Sequence, residues 1–162
     1  MANARLVLGI IFGIVLSIFT IGAFTMWQSF IEIQSYFGAT PLKAIYVLFR
    51  DNFVFDIFTL FTTPNLTIFD ILAPQLLSWL LVGFIGGSIA KGFKRGLLTG
   101  FIIVIIDILL WIVFGILVGE DMFSLFLEAD AIATFGGIIS ALIGGVLGGS
   151  IGGAISGPYE GL

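Results

Sequence analysis

Residues 131–157 read AIATFGGIISALIGGVLGGSIGGAISG. Two rows of small residues run through this stretch at a spacing of four. One is Gly136, Ser140, Gly144, Gly148, Gly152 and Ser156; the other is Gly137, Ala141, Gly145, Gly149, Gly153 and Gly157. Isoleucine, leucine, valine and phenylalanine fill the positions between, and no charge follows Asp130 until Glu160. In a water-exposed helix each glycine costs about 1 kcal/mol against alanine, whereas in lipid small residues let helix backbones approach closely. The stretch therefore reads as a transmembrane helix built for packing. Four residues turn a helix by about 400°, so each row drifts about 40° per step. Between Gly136 and Ser156 a row turns roughly half way round the axis, and one straight partner cannot follow it. Early and late glycines are expected to face different neighbours, some within the chain, the rest in a second copy or another protein.

The whole chain has the same character. Its 162 residues are 59% hydrophobic and 10% charged, with a mean hydropathy of +1.23. A soluble domain carries about 25% charge, so this composition predicts a single all-α integral membrane domain over residues 1–162. The chain has no cysteine and no histidine, which excludes disulfides, thiolate chemistry, imidazole bases and haem–histidine ligation. Only carboxylates, carbonyls and hydroxyls remain as metal ligands, and they suit hard cations. No metal site and no cofactor is expected. The formal charge of −4 and the lack of a large basic patch exclude nucleic acid as a partner.

Four spans are predicted, at about 6–30, 73–90, 97–118 and 131–157. The first carries Gly9, Gly13 and Ser17 at a spacing of four, with Trp27 near its far end as an interface anchor. Its apolar run exceeds the 7–15 residues of a signal-peptide core, so a retained span is expected. The second has Pro74 in its first turn, where proline is tolerated, and Gly83 and Gly87 as a small pair. A tight basic hairpin, Lys91-Gly-Phe-Lys94-Arg95, joins it to the third. By the rule that cytoplasmic loops carry the excess of Lys and Arg, this hairpin and both termini are expected to be cytoplasmic, in the plasma membrane. Lys43 and Arg50 fall on the far side, a mild exception.

The connection 31–71 is long and apolar, which is unusual for a loop. Leu42, Ile45, Tyr46 and Phe49 recur at helical spacing after Pro41, whereas Asn52, Asp56, Thr59 and Thr63 form a different polar stripe. Two short helices over about 41–63, bent near Arg50–Asn52, are expected to lie as an extracytoplasmic amphipathic segment at the interface. A hydrophobic lid over the bundle is the plain reading of this segment and a docking surface the sharper one. A fifth span over residues 42–62 would have to carry Lys43, Arg50, Asp51 and Asp56, at high cost. Asn65-Leu66-Thr67 is a glycosylation triplet, usable if the loop is extracytoplasmic.

Asp107 is the sharpest single residue. It lies halfway along the third span, where a charge costs about 2.5–3.5 kcal/mol or more. No Lys or Arg lies within any predicted span to pair with it. The alternatives are a neutral carboxyl bonded to a neighbouring helix, contact with a base of another subunit, or a place on an ion or proton pathway. The acidic loop from Glu120 to Asp130 lacks the ligand spacing of an EF-hand. The glycine run follows no strand and has no Lys-Ser/Thr tail, so it is no phosphate loop. No enzyme motif is present, and the chain is read as non-enzymatic.

The segments GFIGGSIAKGFKRGLLTGF (83–101) and GGIISALIGGVLGGSIGGAI (136–155) resemble small glycine-rich multipass membrane proteins, frequent in archaea and mostly of unknown function. The resemblance covers the C-terminal half and implies no site residues. The leading expectation is an accessory or structural subunit of a larger membrane complex. It would pack through Gly136, Gly137, Ser140, Gly144, Gly145, Gly148, Gly149, Gly152, Gly153, Gly83 and Gly87, with other membrane subunits or copies of itself as partners. The alternative is a homo-oligomeric channel or small ion or proton transporter using Asp107.

Overall fold

The computed structural model describes residues 2–25, 28–38, 40–65, 67–68, 72–127 and 130–157. Among these residues the regular structure is helical, with no strand. In chain order the helices are α1 (Ala2–Phe24), α2 (Gln28–Phe37), α3 (Pro41–Arg50), α4 (Thr59–Thr62), α5 (Pro74–Ala90), α6 (Phe93–Val118), α7 (Met122–Leu127) and α8 (Ala131–Ile155), with one 3-10 turn at Asp51–Phe53. Ala4–Phe24, Phe93–Val118 and Ala131–Ile155 are each long and apolar enough to cross a membrane. Helix α5 is apolar but has 17 residues, a length of about 25 Å.

Facing pairs fix how these four helices run. A Cβ placed on Gly9 would meet Gly86 and Thr99, and one on Gly13 would meet Ile103; the Ser78 hydroxyl donates to Thr20 Oγ1 at 2.5 Å. Helix α1 is therefore antiparallel to α5 and parallel to α6. Gly144, Gly148 and Gly152 face Leu76 and Trp79, then Leu80, then Phe84, so α8 runs parallel to α5. Gly145, Gly149 and Gly153 face Gly100, Gly96 and Gly92, so α8 runs antiparallel to α6. The result is an up-and-down bundle with α5 packed against α8, α1 and α6. Large apolar side chains cover its outside, among them Leu8, Phe12 and Phe19 on α1 and Leu147, Ile151 and Ile155 on α8.

The first long helix stops at Phe24, short of the predicted boundary at residue 30. The Thr25 hydroxyl donates back to Ile21 O at 2.7 Å, and a Cβ on Gly22 would collide with the Phe30 ring that α2 brings back onto it. The predicted interface anchor Trp27 lies outside the described residues.

Within 41–63 the first expected helix forms as α3 and the second is reduced to the single turn α4. After α3 the chain makes the 3-10 turn, an irregular stretch and the four-residue α4. No single helix runs from 42 to 62, so a fifth span there is not formed. The reason is tertiary: remote groups take the backbone of 52–57. Trp79 Nε1 donates to Asn52 O at 2.9 Å, Ser140 Oγ donates to Phe55 O at 2.9 Å, and Ile57 N donates to Gly136 O at 3.5 Å. The polar stripe is accordingly no helix face. Asn52 is 1% exposed, Asp56 accepts from Phe58 N at 2.8 Å, and the Thr63 hydroxyl donates to Thr59 O at 2.7 Å. Residues 51–58 form a cap set into one end of the bundle.

Charge divides by end. Arg5, Lys91, Lys94 and Arg95 sit at the end holding the α5–α6 hairpin, where Gly92 N donates to Gly153 O at 2.9 Å. Asp51, Asp56, Glu120, Asp121 and Asp130 sit at the capped end. The two bases at that end are paired with acids: Lys43 Nζ lies 3.3 Å from Glu120 Oε1, and Arg50 Nη2 lies 3.0 Å from Asp51 Oδ1.

Candidate functional site

Asp107 sits on a row of α6 in which Thr99, Ile103, Asp107, Trp111 and Gly115 recur every four residues, all buried. This is the row α6 turns toward α1, because Gly9 and Gly13 of α1 give their side-chain space to Thr99 and Ile103. One further step of four brings Ser17 to the height of Asp107, and Ser17 is the side chain that faces its carboxyl. The Ser17 hydroxyl nevertheless donates to Ile14 O at 2.8 Å, and neither Asp107 oxygen has a hydrogen-bond partner. Asp107 is 0% exposed. An enclosed carboxyl without partners is expensive, and no ion pair offsets it among the described residues.

Other orphaned atoms lie along the same axis. Thr99 Oγ1 lies two turns toward the basic end, and Trp111 Nε1 lies one turn toward the cap; both lack partners, as does Asn52 Oδ1 in the cap itself. Trp111 lies beside the Tyr46 hydroxyl without a hydrogen bond of acceptable geometry. Burial pushes the Tyr46 phenol above its ordinary value, against the opposing effect of the Trp111 indole, so it remains a neutral hydroxyl.

The layers on either side of Asp107 differ. Toward the basic end Ile103, 0% exposed, fills the notch left by Gly13 and Gly86. Toward the cap, Phe53 stacks on Trp111 with ring centroids 5.2 Å apart and tilts on Trp79 at 5.5 Å. Behind that aromatic layer an open cleft of about 200 Å³ is lined by Arg50, Phe53, Val54, Trp111, Leu125, Asp130, Ala133 and Thr134. Trp111 thus both lines the cleft and stands one turn, about 6 Å along the helix axis, from Asp107.

The glycine rows lie against neighbours within the chain. A Cβ on Gly136 would strike Asp56, and one on Gly137 would strike Phe53 O; Ser140 bonds the cap. Gly144, Gly148 and Gly152 face α5, while Gly145, Gly149 and Gly153 face α6. Gly83 and Gly87 press on Gly145 and Gly149 from α5, and Gly96 and Gly100 press on the same two from α6. The Gly96–Gly100 pair was not among the sequence candidates, although its spacing of four is visible in the sequence. Asn65 is exposed with φ +67°; Leu66 of its triplet lies outside the described residues. No cluster of three or more acidic side chains able to hold a metal ion occurs among the described residues. In comparisons with known proteins, the chain matches no family model, no curated protein and no solved structure.

Proposed function

We propose that this chain is a four-span membrane protein that binds and passes protons through Asp107, with α5 as the fourth span and the basic end in the cytoplasm. The observation that carries the reading is the Asp107 carboxyl, 0% exposed with both oxygens unpartnered. A dehydrated metal cation needs a shell of several oxygens, and Ser17 supplies a hydroxyl facing Asp107, with no acidic cluster for a metal among the described residues. A proton needs no shell. Intramembrane carboxyls mark such pathways, and this one needs no second copy to enclose it. The basic end fits a cytoplasmic orientation, and the exception at Lys43 and Arg50 is softened by their acidic partners. Asn65 is then extracytoplasmic and open to glycosylation.

The accessory-subunit reading draws less support. The glycines that would have served as its contacts lie against the chain's own helices and cap, so a partner would have to use other surface. The proton reading is tested by infrared difference spectroscopy of the reconstituted protein across a pH step. A carboxyl C=O band that titrates in the natural sequence and vanishes in Asp107→Asn is expected. A spectrum unchanged by Asp107→Asn contradicts it.

A further inference from the structure

We infer that Asp107 exchanges protons faster with the capped, acidic end than with the basic end, through the cleft between the cap and α8, and that the Phe53–Trp111 stack is the door of this faster route. The inference rests on the reading of Asp107 as a proton site and adds its access path. Three observations meet here. The cleft is open to the outside and is lined in part by Trp111, whose indole N–H is unpartnered and which is 3% exposed. One aromatic layer then separates water from the carboxyl. The cleft is lined by one carboxylate, Asp130, and one cation, Arg50; Asp51, buried beside Arg50 at 3.0 Å, offsets that cation, so the remaining charge of Asp130 favours protons and other cations there.

The opposite direction is closed in a different way. From Asp107 to the start of α6 the row passes Ile103 and then Thr99, both 0% exposed. Gly9, Gly13 and Gly86 bring α1 and α5 against these two side chains. Opening that side requires helices to separate, whereas opening the capped side requires two rings to unstack. Ring rotation is a side-chain motion, and helix separation is a slower collective one. Asn52 Oδ1, buried and unpartnered in the cap, and the Tyr46 hydroxyl beside Trp111 are the polar groups that water entering through the stack would meet.

The natural absence of cysteine permits a direct test by thiol labelling in lipid nanodiscs, where both faces meet the reagent. Ser17→Cys reports the surroundings of Asp107, and Ala133→Cys, on the cleft wall, reports the cleft. With a methanethiosulfonate reagent, Ala133→Cys is expected to label in the natural background and Ser17→Cys to stay at background. Adding Trp111→Ala or Phe53→Ala is expected to raise Ser17→Cys labelling to the level of Ala133→Cys, while Ile103→Ala leaves it at background. Two door variants are used so that misfolding of one leaves the other to decide. Labelling through Ile103→Ala, or no labelling with either door variant while Ala133→Cys reacts, overturns the route. The assay does not depend on Asp107 titrating, so a failed route and a failed proton site are told apart by comparing it with the infrared result.

Discussion

At the scale of single residues, two kinds of buried position must be separated: those that pack and those that packing leaves unexplained. Gly149 belongs to the first kind. A Cβ there would meet Gly96 C at 3.1 Å and Gly100 Cα at 3.3 Å, and backbone cannot rotate away as a side chain can. Gly149→Ala is expected to cost about 1–3 kcal/mol, the usual range for overpacking. Gly38→Ala, with nothing within 4 Å, is expected to stay within about 0.5 kcal/mol. Thermal unfolding in detergent checks both, and equal melting points would contradict the packing described. Asp107 belongs to the second kind. Its burial was legible because it stands in the middle of an apolar run with no base in reach. That Ser17 faces it was not, because the offset between α1 and α6 is fixed by where Gly9 and Gly13 meet Thr99 and Ile103. That is a tertiary fit with no periodic trace of its own.

At the scale of elements, α5 packs against all three other long helices, and the two rows of α8 sort that helix's own neighbours. The drift of about 40° per step anticipated that early and late glycines face different elements. Gly136 and Gly137 do meet the cap, while Gly144, Gly148 and Gly152 meet α5. Long helices were readable because one period runs uninterrupted through them. The cap was not, because its backbone partners Trp79 and Ser140 lie 27 and 85 residues away in sequence, and local spacing carries no record of them. Ser140→Ala removes the bond to Phe55 O, worth about 1 kcal/mol, and leaves α8 helical. Amide exchange by mass spectrometry is expected to quicken over 54–58 with little change in the centre of α8. Uniform quickening of both would show that the cap is not held at this point.

At the scale of the whole molecule, a helical bundle encloses one unpartnered carboxyl between a packed aliphatic layer and an aromatic door. Acids gather at the door's end, where Lys43 and Arg50 are paired with two of them, and the other bases lie at the opposite end. Nothing in glycine packing requires Asp107, and a leucine there would fill similar space without the cost of burying a polar group. The measurement that bears most directly on the account is proton flux into liposomes holding the purified chain alone, driven by a potassium diffusion potential and followed with a trapped pH dye. Flux above that of empty liposomes, abolished by Asp107→Asn, is predicted. Flux that survives Asp107→Asn, or none above empty liposomes, would contradict it.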